Sequence, residues 1–404
     1  MTWPMKPLSE LCELAIDCVN KTAPVVEGPT SYKMIRTTNV KGGFIDIEHV
    51  RYVTEETFEK WTRRSRPKYG DVVLTREAPV GEVGRCTFDE SQNIFLGQRL
   101  FLYRPDSKLL DWNYLAYALQ SPIVQNKLHG MSFGATVPHV KVGDAENLEI
   151  PYPELKVQKY IGKTLAAYDD LIENNRRRIA LLEESIRLIY QEWFVNLRFP
   201  NAHQCHKKAG IPMGWLRKPL SEVVEFNPKV NYEKNVLYPF VPMQALSESS
   251  MVIRTLEERI ISGGAKFQNK DTLFARITPC LENGKTGFVQ FLDEEKNVAS
   301  GSTEFIVMRS KTLTPYFVYC LARNEEFRKH AIGSMVGSDG RQRVNVNCFD
   351  AYFVLQPSED ILERFDKIAE PIFDEIKSIS NMNQRLYEAR NALIPKLMSG
   401  EIQI

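Results

Sequence analysis

The chain has 404 residues, with 52 lysines and arginines against 51 aspartates and glutamates and a net charge of +1. That length suits two to three domains, 43% hydrophobic and 25% charged residues make an ordinary globular composition, and near-neutrality confines any nucleic-acid contact to local patches. No apolar run approaches a membrane span, the opening MTWPMKPLSEL has no signal-peptide core, and seven scattered cysteines without a CxxC pair read as reduced thiols of a cytoplasmic protein.

In chain order, residues 1–150 form the first globular part. Alternating runs predict strands at 72–75 and 101–103. A helix is predicted over 111–128 with Asp111 as N-cap, and the glycine-rich loop from Gly130 to His139 follows it. Residues 151–199 are the second part, a long helix entered through Pro151 and Pro153. Ile161, Leu165, Tyr168, Ile172, Asn175, Ile179, Leu182, Ile186, Ile189 and Trp193 alternate steps of four and three, which is a coiled-coil seam. Such a helix is on the order of 50–60 Å long. Gly162 is its weak point, and Asn175 is its one polar seam position, a register device.

Residues 200–356 hold a short polar connector and the second globular part, with strands predicted at 273–275 and 305–308. A helix is predicted over 314–331, and a second glycine-rich loop runs from Gly333 to Arg343. Residues 357–404 repeat the helical rhythm at Ile361, Phe365, Ile368, Ile372, Ile379, Met382, Leu386, Ala389 and Leu393. Glu375 interrupts that seam, and Pro371 predicts a kink or restart.

The second half repeats the first. Lys6-Pro-Leu-Ser-Glu10 returns as Lys218-Pro-Leu-Ser-Glu222, and Asp71 to Arg76 returns as Asp271 to Arg276. Gly84, Arg85 and Phe88 match Gly284, Lys285 and Phe288, and Gly97 matches Gly301. The chain therefore reads as a tandem duplication of a globular domain followed by a long helix. If the first helix carries the chain away, the second must return antiparallel to pair with it. The expected fold is α+β: two similar mixed α/β domains separated by a long antiparallel two-helix coiled coil, related by a pseudo-two-fold axis. A spacer between unlike recognition domains suits a split, asymmetric DNA target.

At this point the chain resembles the specificity subunit of type I restriction-modification systems. The motifs are Ile150-Pro-Tyr-Pro153 with the helix ending Glu192-Trp-Phe-Val195, and the opening Ile211-Pro-Met-Gly-Trp215 with Lys218-Pro-Leu. The loops Gly134 to His139 and Gly340-Arg-Gln-Arg343 and the ending Leu397-Met-Ser-Gly400 complete them. The resemblance covers essentially the entire chain and makes 1–150 and 200–356 target-recognition domains. It implies double-stranded DNA as ligand, with two methyltransferase (M) subunits and restriction translocase (R) subunits as partners. S-adenosylmethionine, ATP and Mg are then expected on those partners and no cofactor on this chain.

The candidate DNA contacts start with Lys60, Arg63, Arg64, Arg66 and Lys68, a basic stretch without an acid and with Trp61 among them. Arg341, Gln342 and Arg343 have the donors for guanine and adenine, and His139 and Lys141 occupy the related loop of the first half. Positions shared by both halves, Arg76 with Arg276 and Arg85 with Lys285, read as phosphate contacts or as ion pairs with Asp71 and Asp271. Gln98 and Arg99, replaced by Ser302 and Thr303, read either as base readers or as strand surface. Trp193 lies on the seam, and Phe194 either caps the connector or docks a methyltransferase subunit. Arg176 to Arg178 is a solvated face or a contact for DNA or a partner.

No catalytic centre is legible. Asn227-Pro228-Lys229 is not an adenine-methyltransferase tetrapeptide. Gly284-Lys285-Thr286 lacks the earlier glycine of a P-loop, and His203 and His206 stand alone in the connector. The chain is expected to be non-catalytic and without a metal. The competing class is a non-DNA scaffold with two binding domains on a coiled coil.

Overall fold

In the computed structural model, described for residues 3–134, 137–254, 256–293, 297–337 and 342–402, the chain divides into two units. One is Met1–Glu173 with Gln384–Ile404, and the other is Asn174–Asn383. Each therefore contains one globular part and a stretch of both long helices.

The first unit is built on an antiparallel sheet in the order Cys12–Asp17, Leu100–Pro105, Val72–Arg76, Val80–Arg85. Val72, Val73 and Leu74 are fully buried, as a central strand covered on both faces requires. The second unit repeats the order as Val224–Phe226, Phe305–Ser310, Thr272–Ala275, Thr286–Phe288. Each unit adds a smaller sheet containing one parallel pair, Lys33–Ile35 with Ile94–Leu96 and Leu237–Val241 with Ala299–Gly301.

The acid before each central strand has the same task in both units. Asp71 accepts from Lys68 N at 2.9 Å and from Arg104 Nε and Nη2 at 2.8 Å each. Asp271 accepts from Gln268 N at 2.8 Å and from Arg309 Nε and Nη2 at 2.7 Å each. These bidentate pairs tie the strand entry to the neighbouring strand. The partners of the two acids are thus Arg104 and Arg309, and not Arg76 and Arg276.

The helices expected over 111–128 and 314–331 are each two helices. Trp112–Gln120 is capped by Asp111 and ends where Pro122 forces Ser121 into extended backbone, and Pro122–Gly130 starts again from Ser121. Pro315–Arg323 is capped by Thr314, and Asn324 caps Glu325–Gly333.

The long helices are Leu155–Tyr190, 36 residues or about 54 Å, and Glu359–Ser399, 41 residues. Pro371 does not interrupt the second; its ring is exposed, off the buried face. Nor is Gly162 a weak point, because a Cβ there would lie 2.5 Å from Asp111 Oδ1 and 2.8 Å from Tyr114 N. Glycine lets the long helix touch the start of the helix Trp112–Gln120.

Within the second unit the helices run antiparallel. Asn175 Nδ2 donates to Asn383 Oδ1 at 2.9 Å, Arg178 Nη2 to Glu375 Oε1 at 2.7 Å, and Phe194 meets Phe365 at 5.0 Å between ring centres. Asn175 faces a second asparagine across the seam, both buried. The seam of the second helix runs through Phe365, Ala369, Ile376, Ile379, Asn383 and Arg390, so Ala369, Asn383 and Arg390 replace the expected Ile368, Met382 and Ala389. No helix among the described residues is long and apolar enough to cross a membrane.

Candidate nucleic-acid interface

Each unit presents a loop at the same end of its main sheet, where the central strand stops and its neighbour begins. In the first unit Arg76 ends the central strand. Arg76 Nη1 donates to Val140 O at 2.8 Å and Val140 N to Arg76 O at 3.0 Å. His139 bridges Glu77 on one side and Phe133 on the other, exchanging both backbone hydrogen bonds with Phe133 at 2.9 Å. In the second unit Arg276 Nη2 donates to Val344 O at 2.7 Å, and Val344 N to Arg276 O at 2.9 Å. Arg343 bridges Ile277 and Val336, with backbone bonds of 3.1 and 3.0 Å to the latter. The frame is duplicated, down to the arginine that holds it. Arg76 and Arg276 therefore serve as loop anchors.

What the frames present differs. In the first unit His139 and Lys141 are exposed, Lys141 Nζ lies 4.4 Å from the Phe133 ring centre, and Arg99 Nε is 3.2 Å from Glu77. Arg99 sits at φ +73°, a conformation few non-glycine residues adopt. Gln98 Oε1 accepts from Thr22 at 3.3 Å. In the second unit Arg343 grips Glu304 with Nε and Nη2 at 2.7–3.0 Å, and this hydrogen bonding holds the Glu304 carboxyl below the usual carboxylate range. Ser302 Oγ accepts from Glu304 N at 3.2 Å, Thr303 is exposed, and Gln342 is half-buried with its carbonyl bound to Thr278 N at 3.1 Å. Arg341 lies outside the described residues. An arginine that takes a carboxylate with two prongs has the geometry for guanine O6 and N7.

The frames also correct the alignment of the repeats. Arg76 N donates to Arg99 O and Arg276 N to Glu304 O, so Arg99 corresponds to Glu304, one residue beyond Thr303. Val72 pairs with Arg85, whereas Thr272 pairs with Phe288. Arg85 therefore corresponds to Phe288 and not to Lys285. Its guanidinium is buried, 2.9 Å from Asn113 Oδ1 and 3.3 Å from Asp170 Oδ1. A cation so enclosed cannot reach a phosphate, and Arg85 leaves the candidate interface. Lys285 is half-buried, with Nζ 3.4 Å from Met243 O.

The basic stretch meets two acids that precede it, Asp17 far off in sequence and Glu59 next to it. Arg64 pairs with Asp17 and Arg66 with Glu59 at 2.6 Å. Lys60 is exposed beside the Trp61 ring, and Arg63 is exposed with no ion pair among the described residues. The Lys68 backbone N–H is bound to Asp71. Exposed pairs of this kind hold weakly, so Arg64 and Arg66 remain exchangeable to a phosphate. Asp17 pairs with Phe101 across the sheet, which sets Arg64 at the end where Gln98 and Arg99 lie.

Trp193 and Phe194 fall in one π-helical turn, Gln191–Val195. The extra residue of that turn rotates Phe194 inward, where it packs on Tyr190, Trp215, Phe317 and Phe365. Phe194 is 7% exposed, so core packing takes it out of any docking surface, while Trp193 is only half-buried against Phe365. Sequence reasoning missed Phe133 and Val336, large apolar residues left 51% and 75% exposed at equivalent places in the frames. The signal was available in principle, since each lies three residues after the paired glycines Gly130 and Gly333. Among the described residues no group of three or more His, Cys, Asp or Glu could hold a metal ion.

Residues 1–184 match the family described as the type I restriction modification DNA specificity domain. The type I restriction enzyme MjaIX specificity subunit of Methanocaldococcus jannaschii is 26% identical over 371 residues, which cover 88% of this chain and 82% of its own length. The HindI specificity subunit of Haemophilus influenzae is 19% identical over 406 residues, 83% of this chain and 87% of its own. The crystal structure of the type I restriction-modification S subunit from M. genitalium superposes with a TM-score of 0.57 at 15% identity, covering 98% of this chain and 96% of that one. At that identity the likeness speaks for the fold.

Proposed function

The chain belongs to the type I restriction-modification DNA specificity family, and from that premise we propose that it is the non-catalytic component that selects the DNA sequence on which its partner subunits act. Each unit reads one half of a split, asymmetric target. Two methyltransferase subunits and restriction translocase subunits complete the assembly, bring S-adenosylmethionine, ATP and Mg, and work with it in the cytoplasm. The methyltransferase subunits dock on the helical pair.

The observation that carries this reading is the duplicated loop frame. Arg76 with Val140 and Arg276 with Val344 repeat the anchor, while Phe133, His139 and Arg99 in the first unit correspond to Val336, Arg343 and Glu304 in the second. Shared anchors with unlike tips are what two readers of unlike sequences need, because scaffold and phosphate contacts carry no sequence information and base contacts do. The non-DNA scaffold has no comparable support.

The test is methylation mapping. The chain is expressed with its cognate modification subunit in a methylation-free host, and N6-methyladenine is located by sequencing. The expected result is one split motif with unlike halves and a constant spacer, and exchange of residues 1–150 for those of a relative changes one half only. No methylation above background, with the two proteins soluble and associated, overturns the reading.

A further inference from the structure

We propose that Phe133 and Val336 are the apolar base contacts of the two half-sites, each packing against base edges in the half that its own unit reads. The inference rests on the DNA reading above and deepens it.

The two residues occupy one place in the repeat. Phe133 exchanges both backbone hydrogen bonds with His139, and Val336 with Arg343, and those partners each bridge the residue after the anchoring arginine. Neither side chain contributes to a hydrophobic cluster among the described residues. An isolated exposed apolar residue needs no explanation, but one held on a two-residue ladder at the same position of both repeats does. The ladder sets the backbone, so each side chain is presented rather than loose.

The surroundings favour a nucleic acid over a protein. Lys141 Nζ lies 4.4 Å from the Phe133 ring centre, and Arg343 stands directly across from Val336. A cation beside a lone apolar tip matches a groove, where phosphates line the rim and base edges, including the thymine methyl, lie within. Phenylalanine in one unit and valine in the other differ in reach and volume, as contacts to unlike base pairs should.

The experiment uses the full chain with its cognate modification subunit and compares the wild type with Phe133→Ala and Val336→Ala. Both side chains are at least half exposed, so truncation leaves the core intact, and unchanged melting temperatures check this. Methylation at the parental motif is expected to fall roughly 5- to 20-fold, as for one wrong base pair. Phe133→Ala relaxes base preference in one half of the motif only, and Val336→Ala in the other half only. Uniform loss across both halves, or parental methylation left unchanged, overturns the proposal while the wild-type motif keeps the DNA reading intact. Loss of the modification subunit from Phe133→Ala, with binding to a target duplex unchanged, assigns the tip to protein docking and also overturns it. A wild type without a split motif removes the DNA reading and this inference together.

Discussion

The two units hold equivalent loops against the helices with opposite chemistry. In the first, Asp169 is fully buried among cations and a phenol. Arg390 Nη1 bonds Asp169 Oδ1, Tyr117 Oη donates to Oδ2 at 2.6 Å, and Arg85 Nη2 stands 3.7 Å away. Arg390 also donates to Gly42 O at 3.1 Å, which ties the loop to the helix. In the second unit Phe373 stands where Asp169 stands and Phe288 where Arg85 stands. Their rings meet at 4.8 Å, with Tyr316 and Tyr319 at 4.8 and 5.6 Å. The equivalent loop is held there by Glu183, which accepts from Ser250 Oγ at 2.7 Å and Met251 N at 2.8 Å.

The difference separates stability from selectivity. An aromatic junction gains from apolar burial and tolerates approximate partners. An ionic junction loses heavily if either partner is missing, because a charge is then buried alone. The ionic junction therefore defines which helix faces lie together, and the aromatic one supplies cohesion.

Asp169→Ala leaves Arg390 enclosed without an acid and Arg85 with Asp170 alone, and is expected to cost the first unit about 3–5 kcal/mol in urea unfolding. Replacing Asp169, Arg390 and Arg85 together by apolar residues of similar volume should recover most of that loss. Asn175→Ala removes the buried donor to Asn383 Oδ1 and is expected to cost about 1–3 kcal/mol, whereas leucine at both positions restores stability at the expense of register.

Glu183 supplies a pH signature that is confined to the second unit. Burial raises its carboxyl above the usual range, against the bonds from Ser250 and Met251. The folded state thus holds that proton more tightly than the unfolded chain. Its contribution is fully present below the unfolded carboxylate pKa and declines as pH rises through the folded value. Glu183→Gln should flatten this slope in melting curves taken across the acidic range, and an unchanged slope would assign it elsewhere. The smallest effect is expected from Arg178→Ala. Its pair with Glu375 is half exposed on both sides, so the loss should stay within about 0–1 kcal/mol and vanish in high salt.

Local periodicity carried much of the architecture. The four-three rhythm from Ile161 to Ile189 is the buried face of the first long helix at most of its positions. The helix caps at Asp111 and Thr314 are where short-range rules place them. The repeat was visible because strand and loop motifs recur in order. Its register was not, since Gly97 and Gly301 look aligned although Gly97 N bonds Ile35 O as Ser302 N bonds Val241 O, which makes Ser302 the counterpart of Gly97. Only hydrogen bonds between strands showed that Arg85 corresponds to Phe288.

The duplicated order of domain and helix and the existence of a seam are legible in the chain, because apolar spacing acts between residues a few positions apart. Tertiary structure alone decided which polar residues are buried in that seam and which cations are free. Asn383 and Arg390 break the apolar pattern. Asn175 and Asp169, more than two hundred residues away, supply polar partners for them inside the seam. Likewise Arg64 reads as part of a bare basic run until folding brings Asp17 beside it. Whether a charge is buried, paired or available depends on its partner, and no local spacing in the chain encodes where that partner lies.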